Sequence, residues 1–221
     1  RLPPGTARPW NDVAISARIY PRTDTHIEFV TYGRYGDFMG LLYTLLTGDG
    51  NRLTRPLAWL GQVLRHPLRF LKSLWPVGWS RSTVIFLVMQ SLDNAISFRA
   101  RRGWFGGVSL TTEQDPEKPN PTFIEVGNRA AEWLAGQTGG YGQSMLLEAL
   151  ANIPTTAHIL GGAVIGRDAT TGVVDAQSRL FGYRNFLVCD GSTVPANPGV
   201  NPSLTITAMA EHAMSQVPAR A

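Results

Sequence analysis

Residues 155–166 read TTAHILGGAVIG, and residues 182–213 read GYRNFLVCDGSTVPANPGVNPSLTITAMAEHA. Three features follow one another here. His158 precedes a glycine pair, Gly161 and Gly162. The apolar run at 186–189 ends in Asp190, Gly191 and Ser192. Asn201 and Pro202 then open a helical pattern that continues through Ile206, Met209 and Ala213. Each feature is common alone. In this order they predict a site where a histidine and an asparagine converge beside a bound ligand.

The chemistry of each residue type supports that expectation and also allows a plainer one. Imidazole exchanges protons near neutral pH, and adjacent glycines let a backbone or a flat ligand approach closely; a structural histidine would fit the same sequence. Strand ends in α/β sheets are where ligands sit, so Asp190 and Gly191 are candidate contacts; a turn in which Asp190 bonds its own backbone is the alternative. Asn201 suits an N-cap and Pro202 the first helical position. The helix start that follows carries amides without intrahelical acceptors and the positive end of a dipole, although a well-capped surface helix has the same sequence.

The rest of the chain and its overall composition bound the problem. The chain has 221 residues, 43% hydrophobic and 16% charged, the composition of a globular protein. Cys189 is the only cysteine, which excludes an internal disulfide and a thiolate metal cluster, and no metal site is expected. No apolar run approaches the roughly 20 residues of a membrane span. Between residues 50 and 92 stand Arg52, Arg55, Arg65, Arg69, Lys72 and Arg81, with no acidic residue, interleaved with leucines and with Trp59, Trp75 and Trp79. This pattern suits an anionic membrane surface, a lid, or an amphipathic helix pair over a sheet. No nucleic-acid motif accompanies it, so nucleic acid is not an expected partner.

Periodicity and turn signals predict the elements. Residues 26–35 (HIEFVTYGRY) read as a strand. Asp37 is expected to cap a buried helix over FMGLLYTLLT, 38–47, ending at Gly48. Thr54 opens a helix, and Pro67 starts a second one after a break. Residues 82–92 read as a central strand, and 95–101 with 104–111 as a hairpin turning near Gly103. A helix is expected from Thr122 to about Gln137, stopped by Gly139 and Gly140, with Phe123, Val126, Ala130, Trp133 and Leu134 on one face. After Pro154 short apolar strands and glycines dominate. The expected division is a substrate-binding domain over 1–153 and a second segment over 154–221. The fold class is α+β, an antiparallel sheet with helices. No G-x-G-x-x-G dinucleotide fingerprint is present.

HILGG at 158–162, Asp-Gly-Ser at 190–192 and GVNPSLT at 199–205 resemble the C-terminal signature of glucose–methanol–choline (GMC) oxidoreductases, nearest the cholesterol oxidase branch. HIEFVTYG, MGLL, the arginine-rich stretch and VMQSLDN resemble that branch's substrate domain more weakly. Ile159 and Ala163 depart from residues frequent among such proteins (proline and cysteine). The resemblance implies an α/β parent in which residues 154–221 complete a Rossmann-like FAD domain whose fingerprint lies upstream, so the N-terminal FAD-binding portion is an implied partner. It implies oxidation of a bulky apolar alcohol, a sterol, with hydride passing to FAD. His158 and Asn201 would flank the alcohol carbon. Asp190, Gly191, Asn201, Pro202 and Ser203 would contact FAD. Glu28 would be the carboxylate that moves a proton in sterol isomerisation, although a half-exposed strand carboxylate is the plainer reading. The implied location is cytoplasmic or peripheral to a membrane. A non-enzymatic membrane-surface module built on the basic stretch is the alternative function. A serine hydrolase using Ser192 lacks the glycine-flanked nucleophile turn.

Overall fold

The β-branched and aromatic run around Ile27 forms a strand with both faces buried. In the computed structural model, which describes residues 1–3, 15–33, 35–103, 106–156 and 158–218, this strand is β2 (Thr25–Val30). It pairs antiparallel with β1 (Ile15–Arg22) in the register Ile19↔Ile27 and Ala17↔Phe29. On its other side lies β4 (Ile85–Gln90), giving the order β1-β2-β4. Phe29 meets Phe86 edge to face at 4.7 Å. Val30, Trp79 and Ile85 form the buried core, with Met39, Tyr43 and Leu87 packed on it. The sequence reading missed β1, whose edge position tolerates Pro21.

The stretch 38–47 is not a helix. A 3-10 turn occupies Gly36–Leu42, and β3 (Tyr43–Leu45) follows. β3 pairs antiparallel with β7 (Gln143–Met145), about a hundred residues away, through Tyr43↔Met145 and Leu45↔Gln143. That distant pairing overrides local helical character. Asp37 is inside the turn and caps nothing local: its carboxylate accepts from Gly78 N, Ser80 N and Ser80 Oγ at 2.7–2.9 Å.

Helices α1 (Thr54–Arg65) and α2 (Pro67–Ser73) break at His66, with Pro67 opening α2 as expected. The hairpin is β5 (Ile96–Arg102) with β6 (Val108–Gln114), paired from Ile96↔Gln114 to Arg102↔Val108; the Trp104 part of that expectation lies outside the described residues. Helix α3 (Glu125–Thr138) ends at Gly139, whose φ of 67° supplies the left-handed C-cap. Its expected apolar face is not fully buried, since Trp133 is exposed. Helix α4 (Leu146–Ala151) follows β7 directly.

Two compact units emerge, Arg1–Val88 with Asp93–Thr155, and Met89–Leu92 with Thr156–Ala221. Among the described residues after Pro154, the expected short apolar strands do not form. Isolated bridges Ile165↔Val174, Val174↔Leu180 and Arg179↔Leu187 take their place. The run at 186–189 is therefore not a buried strand, and Phe186 is exposed. Helix α5 (Ser203–Ser215) closes this unit.

Candidate functional site

Backbone geometry sets the site in the second unit. Gly161 and Gly162 take φ of 79° and 100°, a left-handed pair open only to glycine without strain. The turn they make lets Gly161 N donate to Gly191 O and Ala163 N donate to Ser192 O. Gly191 packs closely as well: a Cβ there would stand 3.2 Å from the ends of both the Ile206 and Leu160 side chains, which would have to shift to admit it. The segment after His158, the Asp190–Ser192 turn and helix α5 are thus locked together.

The lock brings the candidate residues to one edge. Ser203 Oγ stands 3.4 Å from His158 Nε2 and donates to Asn201 Oδ1 at 2.8 Å. Ser203 N also donates to Asn201 Oδ1, which fixes the orientation of that carboxamide, since an N–H requires the oxygen. Asn201 therefore caps through its side chain, while Pro202 rather than Asn201 is the residue bordering the helix. Pro202 is buried and His158 and Ser203 are exposed. Behind them, the amides of Leu204 and Thr205 point out of the first turn, as helix geometry requires.

Asp190 has a local task. Its carboxylate accepts from Ser192 N and Ser192 Oγ. The Ser192 hydroxyl, then its amide, hold the Asp190 carboxyl below the usual range. Asp190 so shapes the turn that carries Gly191. A cavity of about 470 Å³ runs along α5, lined by Ile165, Ser178, Leu204, Met209 and His212 among others, and none of the candidate residues lines it.

Glu28 belongs to the first unit. It is buried, at 5% exposure, rather than half-exposed. His26, also buried, places Nε2 3.7 Å from Glu28 Oε1. The sequence reading missed this neighbour, although residues two apart on a strand share a face. Among the described residues no group of three metal-ligating side chains occurs, and no helix is long and apolar enough to cross a membrane.

An α+β scaffold that gathers an imidazole, a hydroxyl and a carboxamide at a helix start has the parts of a proton-handling site. The family model described as GMC oxidoreductase matches residues 111–210. A cholesterol oxidase of Acinetobacter baumannii is 43% identical over 208 residues, covering 94% of this chain and 37% of its own length. A cholesterol oxidase of Mycobacterium tuberculosis (strain H37Rv) is 45% identical over 210 residues, covering 93% of this chain and 36% of its own. A dehydrogenase of Armillaria gallica is 33% identical over 88 residues, 40% of this chain and 13% of its own. The chain belongs to the GMC oxidoreductase family. It spans little more than a third of the length of the cholesterol oxidases it matches.

Proposed function

We propose that this chain is the C-terminal portion of an FAD-dependent oxidoreductase that oxidises the CH–OH group of a bulky apolar alcohol, a sterol. The observation that carries the reading is the bridge from His158 through Ser203 Oγ to Asn201. The similarity to two cholesterol oxidases along nearly the whole chain supports the substrate class.

The residues present suit one edge of a flavin site. They offer an exposed polar cluster, a glycine turn with open space at Gly162, and a helix start favouring negative charge. They do not form a dinucleotide cradle, which the reading assigns to an N-terminal portion, with residues 154–221 completing the Rossmann-like domain. Bound FAD supplies the hydride acceptor. His158 Nε2 takes the hydroxyl proton of the alcohol, and Asn201 holds the substrate oxygen by hydrogen bonding. Ser203 Oγ keeps the imidazole and carboxamide in register. Pro202 and Ser203 set the helix start against the cofactor, and Asp190 with Gly191 sets the adjoining turn. Glu28, with His26 beside it, is the group for proton movement within the sterol rings. The protein works in the cytoplasm or at a membrane periphery.

The test is made on the full-length protein. It purifies with flavin absorbance and oxidises sterol alcohols, and His158→Ala or Asn201→Ala lowers turnover by about 10²–10⁴-fold with flavin retained. A colourless protein, or variants with undiminished turnover, removes the reading.

A further inference from the structure

Helix α1 buries its polar side and shows its apolar one. Arg55, Trp59 and Gln62 recur at the spacing of a single helix face. Arg55 is 2% exposed and donates to Gly48 O, Thr122 O and Asn152 Oδ1. Trp59 Nε1 donates to Thr44 Oγ1, and its ring meets Phe70 of α2 edge to face at 5.7 Å. These contacts fix which side of the helix faces the protein. Leu57 and Leu64 lie on the opposite side, 67% and 74% exposed. Beyond the break the stripe continues through Leu68, Leu71 and Trp75, each more than 60% exposed. Exposed cations border it at Arg52, Arg65, Arg69 and Lys72, and no acidic residue occurs between 50 and 92.

We propose that α1 and α2 lay this leucine face on an anionic lipid surface. A covering protein segment has no need of a rim of one charge sign. A bilayer with anionic headgroups does, because leucine and tryptophan enter the headgroup–acyl boundary while long basic side chains reach back to the phosphates. Near-parallel alignment with the surface suits the pair, since neither helix is long enough to span. The inference concerns binding alone and stands apart from the redox reading.

The experiment uses the full-length protein with vesicles of phosphatidylcholine containing phosphatidylserine, against phosphatidylcholine alone. Binding is expected to the anionic vesicles, with a blue shift in emission that Trp75→Phe removes. Arg65→Gln with Lys72→Gln weakens partitioning about thirtyfold, the worth of two basic residues at an anionic surface. Leu64→Ser with Leu68→Ser weakens it at least as much, while flavin absorbance and turnover on a soluble alcohol stay unchanged. Equal partitioning onto both vesicle types overturns the proposal, as does insensitivity to the leucine pair. So does failure of a Leu68→Cys side chain, in a full-length background with every other cysteine replaced by serine, to react with a soluble maleimide before vesicles are added, since another part of the protein would then cover the face.

Discussion

Asp37 shows how a residue whose local sequence suggests one role takes another. Its position before an apolar run suggests a helix cap, yet both carboxylate oxygens accept from the Gly78–Ser80 turn. The Ser80 hydroxyl, then the Gly78 and Ser80 amides, with Arg81 nearby, lower its carboxyl pKa below 3.8. An acid with a depressed folded pKa stabilises the fold above its unfolded pKa and loses that contribution as pH falls through the folded one. Asp37→Asn is therefore expected to cost about 1 kcal/mol at neutral pH. The gap between wild type and variant should close as pH drops below 3.8. Urea unfolding at several pH values checks this, and a gap independent of pH would contradict it. Asp190 follows the same logic in the other unit, where the carboxylate and Ser192 make the turn that presents Gly191. Asp190 is legible as a turn former from the Gly and Ser that follow it, whereas Asp37 reads locally as a cap and not as the acceptor of a turn forty residues away. Such distant consequences are not legible, because a turn's partner elsewhere in the chain leaves no local trace.

At the scale of elements, legibility divides by where the stabilising contacts come from. Helices α1 and α2 were readable because Thr54, Pro67 and the leucine spacing are local signals, and the β5–β6 hairpin because its turn is short. The 3-10 turn and β3 were not, because they depend on contacts with distant chain. Gly40 is where that dependence is strongest. A Cβ on Gly40 would lie 2.7 Å from Trp79 Cγ, and Trp79 is 1% exposed, anchored through Nε1 to Gln143 and against the Tyr43 ring. Gly40→Ala should therefore destabilise by about 2 kcal/mol through overpacking. Gly61→Ala is the contrast. Gly61 sits inside α1 with nothing within 4 Å of its missing Cβ, so alanine should stabilise by up to about 1 kcal/mol through helix propensity. Shifts of the urea midpoint in opposite directions check both. A loss at Gly61 equal to that at Gly40 would mean that α1 is not packed as described.

Across the whole molecule, the buried hydrophobic residues are few and unevenly shared. Ile27, Val30, Leu45, Trp79, Ile85 and Ala149 belong to the first unit, and only Val174, Val194 and Ala213 among the described residues to the second. Phe186, Leu204 and Met214 of the second unit are exposed, as are Leu64 and Leu68 of the first. These two sets have different settings. In sequence, those of the second unit have charges of both signs close by, Arg184 before Phe186 and Glu211 before Met214, as suits surfaces that close against more protein. Leu64 and Leu68 lie in a stretch, residues 50–92, whose charged side chains are all basic. Sequence alone gave the order of His158, Asp190 and Asn201 but could not separate these surfaces, since exposure depends on which face of a helix the fold retains. Radical footprinting of the 221-residue chain beside the full-length protein separates them. Labelling of Phe186, Leu204 and Met214 is expected to fall severalfold in the full-length protein, where the proposed FAD domain would be complete. Labelling of Leu64 and Leu68 is expected to persist until anionic vesicles are added, then to fall. Protection of all five before lipid is present would assign the leucine face to the protein interior. Protection of none would deny the second unit its place in a larger domain.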